Sequence, residues 1–78
     1  MRAPKTYTED LAGILSHMFH SAPPGDKVAM IHLFGIQYAD KIGSRVTKIV
    51  DLAEGVPNSY ITEVYKGMRL AKYVTVKR

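Results

Sequence analysis

The sequence predicts an all-α fold, a compact bundle of about four helices. Three observations carry that prediction. Apolar residues recur at the three- and four-residue spacing of a helix face in four separate stretches. Breaks at Ala22-Pro23-Pro24-Gly25, Gly43 and Glu54-Gly55-Val56-Pro57 divide those stretches. Only Tyr73-Val74-Thr75-Val76-Lys77 alternates in the manner of a half-buried strand. At 78 residues the chain reads as one small domain, with residues 1–5 frayed.

The first helix opens on Thr6-Tyr7-Thr8-Glu9, a capping box with Thr6 at the N-cap and Glu9 reaching back. Thr8 can cap instead, which puts Glu9 and Asp10 at the positive end of the helix dipole. Leu11, Ile14, Leu15, Met18 and Phe19 make the apolar face, and the paired prolines stop the helix by Ser21. Asp26 can cap a second helix whose stripe is Val28, Ile31, Phe34, Gly35, Tyr38 and Ile42. Ala29, Leu33, Ile36 and Ala39 widen that stripe, so this helix is expected at the centre. Gly35 costs it about 0.5–1 kcal/mol relative to Ala, and close approach of another helix is the expected return. Gly43 stands where the helix closes.

A third, short helix covers about residues 45–53, capped by Ser44 or Thr47. It turns Val46, Ile49, Val50 and Ala53 inward and leaves Leu52 at the edge. Pro57 suits the first position of a fourth helix, and Asn58 or Ser59 can cap it instead. Ile61, Val64 and Met68 point inward, and Gly67 weakens the helix. The alternating stretch after it predicts a short terminal β element, which needs a partner strand.

Composition narrows the function. There are no cysteines, which excludes disulfides, thiolate metal sites and thiol nucleophiles. The longest apolar stretch is too short to span a membrane, and no signal-peptide pattern follows the N-terminal basic residues. A soluble, cytoplasmic protein is expected. The net charge is +4, and all of the excess lies in residues 40–78. After Glu63 there are five basic residues and no acidic ones, a distribution suited to a polyanion.

Residues 47–67 read short helix, Gly-containing turn, second helix. This resembles the helix-turn-helix superfamily of DNA-binding proteins, through Gly55 in the turn, Val56 just after it, and Ile61 and Val64 on one face of the next helix. The resemblance implies a left-handed conformation at Gly55, a plug at Val56 and an anchoring pair at Ile61 and Val64. The usual small residue four before the glycine and apolar residue directly before it are here Asp51 and Glu54. Moving the first helix by one gives those roles to Val50 and Ala53, with a turn one residue longer. The terminal β element would then stand in the position of a wing.

The resemblance further implies that the fourth helix enters the major groove. Asn58, Ser59, Tyr60, Thr62, Glu63 and Lys66 are the candidate base contacts. Arg45, Lys48, Arg69, Lys72 and Lys77 are the candidate phosphate contacts. Three histidines, His17, His20 and His32, match no ligand spacing, so no metal site is expected. Ser16, Ser21, Ser44 and Ser59 sit in no hydrolytic motif.

Non-catalytic DNA binding is the expected function, with no cofactor. The chain would act as a small regulator of transcription, or as the DNA-binding module of a larger DNA-processing protein. Double-stranded DNA is the expected partner, together with a homodimer or attachment to a larger enzyme, and no membrane. The alternative is a protein-interaction or oligomerisation module that uses the unpaired edge of the Tyr73-Val74-Thr75-Val76-Lys77 strand.

Overall fold

A computed structural model describes residues 4–74. Four α-helices follow one another: α1 (Pro4–Ser21), α2 (Lys27–Ile42), α3 (Val46–Leu52) and α4 (Ile61–Leu70). A single 3₁₀ turn over Asn58–Tyr60 leads into the last. The α1 helix begins at Pro4, so Thr6 lies inside it and not at its N-cap. Proline suits a helix start because its missing N–H would have no partner there. Thr8 is not the cap either: it is buried in the helix and accepts a hydrogen bond through Oγ1 from Arg45 Nη1 at 2.7 Å.

The core gathers one face from each helix. Leu11, Leu15 and Phe19 of α1 meet Ile31, Phe34 and Ile42 of α2, Val46, Ile49 and Val50 of α3, and Val64 of α4. Ile14, Met18, Tyr38, Ile61 and Met68 pack on this cluster while half-buried. Val28 departs from the expected stripe. It sits in the first turn of α2, one turn before the helix enters the core at Ile31, and is 40% exposed. The helix leaves regular geometry at Tyr38 (φ −116°, ψ 17°) and closes at Gly43. Asp26 stands at the N-cap position of α2, but its side chain makes no capping bond.

The α2 helix is the central one, lying between α1 and α4. Its crossing with α4 is made by two glycines. A Cβ on Gly35 would lie 2.6 Å from the Val64 carbonyl oxygen and 2.9 Å from Gly67 Cα. A Cβ on Gly67 would overlap the His32 backbone carbonyl. Backbone therefore rests on backbone, which is the return expected for the cost of Gly35. Lys27 ties α1 to α2: its ammonium donates to the Phe19 carbonyl at 2.8 Å and sits 4.7 Å from the centre of the Phe19 ring. A cation at a helix C-terminus complements the free carbonyls and the dipole.

The expected terminal β element is not formed at Tyr73 and Val74. Both amides bond back to the Leu70 carbonyl, at 2.8 and 3.1 Å, so the chain spends these residues closing α4. Thr75, Val76 and Lys77, the rest of that expected strand, lie outside the described residues. No strand occurs among the described residues.

Candidate nucleic-acid interface

Two helices and the turn between them make the site. The α3 helix ends at Leu52, and Ala53 turns extended (φ −74°, ψ 108°) while staying buried. Gly55 then takes φ +78°, a left-handed conformation that costs little only for glycine. Val56 is buried directly after it, plugging the gap between the helices. Val50 and Ala53 are buried whereas Asp51 and Glu54 are exposed, so the register with the longer turn is the one adopted. Pro57 is extended (ψ 149°) and precedes the 3₁₀ turn, so it is not the first residue of the fourth helix as expected: α4 begins at Ile61. Neither Asn58 nor Ser59 caps α4 through its side chain.

The turn is anchored from α1. Ser16 Oγ donates to the Glu54 carbonyl at 2.8 Å, and His20 Nε2 donates to the same oxygen at 2.9 Å. The His20 imidazole also fills the space where a side chain on Gly55 would stand. Phe19 meets the Tyr60 ring edge-on at 5.3 Å. The sequence signal for this anchorage is only that Ser16 and His20 stand four apart and so share a helix face.

Val64 is fully buried and Ile61 half-buried, so the anchoring pair of α4 is unequal. The family model of the HTH-like domain matches residues 7–77. The chain belongs to the HTH-like domain family. No curated protein and no solved structure matches it.

In this HTH-like domain the candidate contact residues divide by exposure. Asn58, Ser59, Thr62, Lys66, Arg69, Lys72 and Lys48 are exposed. Within α4, Thr62, Lys66 and Arg69 recur at spacings of four and three, so they run along one outward face. Tyr60 is half-buried against Phe19. Arg45 is half-buried too, its guanidinium donating to Thr8 Oγ1 and to the Lys41 carbonyl. Lys77 lies outside the described residues.

Glu63 turns sideways toward α2. His32 Nε2 donates to its Oε1 at 2.7 Å, and Lys66 Nζ stands 3.6 Å from Oε2. The His32 bond holds the carboxyl below its ordinary value of 4.5, partial desolvation opposes this, and the Lys66 charge adds to the lowering. Glu63 is the only carboxylate between Asn58 and Val74. With it engaged, the outward face of α4 presents neutral polar and cationic groups.

The three histidines lie apart in role: His20 on the turn, His32 on Glu63, and His17 with Nε2 3.5 Å from Ser21 Oγ. Among the described residues no three His, Asp or Glu side chains converge as a metal site, and no helix is long and apolar enough to cross a membrane.

Proposed function

We propose that this domain binds double-stranded DNA, without catalysing a reaction on it, by laying the outward face of the 3₁₀ turn and α4 in the major groove. The observation that carries this reading is the disposition of charge on α4. Its one carboxylate is held by His32 and Lys66, while Lys66, Arg69 and Lys72 remain at the surface. At 1.5 Å per residue, the ten residues of α4 are about 15 Å long, a fit for one pass through a major groove. Asn58, Ser59, Thr62 and Lys66 are the residues assigned to base edges. Arg69, Lys72 and Lys48 are assigned to phosphates, which position the helix without reading sequence. Tyr60 and Glu63 instead steady the helix that does the reading, and Arg45 ties the end of α2 to α1. The domain would serve as a small cytoplasmic regulator of transcription or as the DNA-binding module of a larger enzyme. One reading helix makes few base contacts, so a second copy or a partner protein would supply the second half-site.

A binding isotherm on a random-sequence duplex tests this reading at about 50 and about 200 mM salt. Three phosphate contacts predict that log K falls with log salt at a slope of about −2.7. Absence of binding at the lower salt, or a slope near zero, overturns it.

A further inference from the structure

Between α2 and the C-terminal half of α4 lies an open groove of about 320 Å³, lined by His32, Lys66, Arg69, Leu70 and Tyr73. It adjoins the outward face of α4 but differs from it chemically, because it carries large exposed apolar groups. Tyr73 is 78% exposed and Leu70 is 42% exposed. Neither is needed by the core, and neither belongs to the set assigned to the duplex. Lys66 and Leu70 are four residues apart on α4, and Arg69 and Tyr73 line the same groove, so cations and apolar groups stand side by side there. The two cations are not equivalent. Lys66 shares Glu63 with His32, whereas Arg69 has no acidic partner among the described residues. Arg69 therefore offers an uncompensated guanidinium, the group best shaped for two parallel bonds to a phosphate. His32 forms the inner wall, its Nε2 committed to Glu63.

A phosphate donor next to an uncovered aromatic ring and an aliphatic side chain is what an unpaired nucleotide requires. The ring offers a stacking face to any base, and the guanidinium takes the adjoining phosphate. A base inside an intact duplex has both faces covered by its neighbours and cannot lie on Tyr73. The groove volume is at the lower end of small-ligand sites, which limits the occupant to one such unit.

We propose that this groove binds a single nucleotide unit with an unpaired base, the phosphate on Arg69 and Lys66 and the base against Tyr73 and Leu70. The unit comes from a free mononucleotide or from a single-stranded nucleic acid, since both present the same chemistry. The site shares its cations with the duplex-binding face but not Tyr73 or Leu70, so the two can stand or fall separately.

The test is a titration of the full chain with thymidine 5′-monophosphate, inorganic phosphate and a short oligothymidylate, following the Leu70 methyl and Gly67 amide resonances. The mononucleotide should shift the Leu70 methyls and bind about tenfold or more tighter than inorganic phosphate, because phosphate alone cannot stack. Tyr73→Ala should weaken the mononucleotide about five- to hundredfold, Tyr73→Phe should retain its binding, and neither should alter affinity for intact duplex. Arg69→Gln should weaken mononucleotide and phosphate alike. An oligothymidylate that binds more tightly than the mononucleotide, with a salt slope, assigns the single strand; equal affinities assign the free nucleotide. Inorganic phosphate bound as tightly as the mononucleotide, or a Tyr73→Ala chain with unchanged mononucleotide affinity, overturns the proposal. Loss of duplex binding alone would sink only the major-groove reading.

Discussion

Gly35 and Gly67 decide how closely α4 can lie on the central helix α2. In an open helix, replacing glycine by alanine stabilises by about 0.4–1 kcal/mol, because the unfolded chain loses freedom. At these two positions the added methyl meets backbone that cannot swing aside. Overpacking of that kind costs about 1–3 kcal/mol, so it outweighs the gain. Gly35→Ala and Gly67→Ala should therefore each lower the midpoint of denaturant unfolding. Gly13→Ala on the exposed side of α1 has nothing within 4 Å of the new methyl and should raise it. A second residue-scale effect sits beside the same crossing. The folded-state pKa of Glu63 is lowered, so its stabilisation is fully present above the unfolded value and is lost as pH falls through the folded one. Wild-type chain and Glu63→Gln should thus differ most near neutral pH. They should converge as pH falls below about 4.5, where carboxyl protonation removes the negative charge that strengthens the bond from His32 and attracts Lys66. A stability difference that stays constant down to pH 2 would show that the carboxylate contributes nothing through its charge.

The four helices and the turn were legible because their signals are local. Periodicity gave the inward faces of α1, α3 and α4, and Gly55 followed by Val56 marked the turn. What escaped was decided by partners distant in sequence. The partner of Glu63 is His32 of α2, 31 residues away. Likewise Ser16 and His20 reach a carbonyl more than thirty residues on, and hydrogen bonds to backbone leave no trace in residue type. The alternation from Tyr73 to Lys77 was genuine as a pattern, but an unpartnered strand cannot compete at Tyr73 and Val74 with bonds that finish a helix. Periodicity also fails to rank burial within a face, and α4 shows the consequence. Val64, like Ile49 of α3, is almost fully buried, whereas Ile61 is only half-buried. Ile49→Ala should cost about 2–5 kcal/mol, and Ile61→Ala should fall below that range because part of its surface already meets water. Chemical denaturation of the two variants checks the order. Equal losses would mean that Ile61 is packed as fully as Ile49.

Charge is distributed across the molecule in a way that separates affinity from specificity. Glu9, Asp10, Asp51 and Glu54 are exposed on elements other than α4, whose one carboxylate is engaged by His32. The net charge of +4 therefore understates the positive potential that DNA would meet on α4. On the proposed reading Lys72, just after α4, and Lys48, on α3, meet the DNA backbone and not base edges. Lys72→Ala and Lys48→Ala should weaken binding to every duplex by the same factor, each lowering the magnitude of the salt slope by about 0.9. Asn58 opens the 3₁₀ turn at the leading end of the helix, where an amide can pair with adenine. Asn58→Ala should keep the wild-type salt slope and relax preference at one base position, at a cost of about 1–3 kcal/mol on the preferred sequence alone. Competition among duplexes of a randomised library, repeated at two salt concentrations, reads both quantities in one measurement. A chain in which Asn58→Ala changes the salt slope, or Lys72→Ala changes the preferred sequence, would have its roles reversed. The groove-facing end of α4 would then have to be reassigned from the 3₁₀ turn to the Arg69–Lys72 end of the helix.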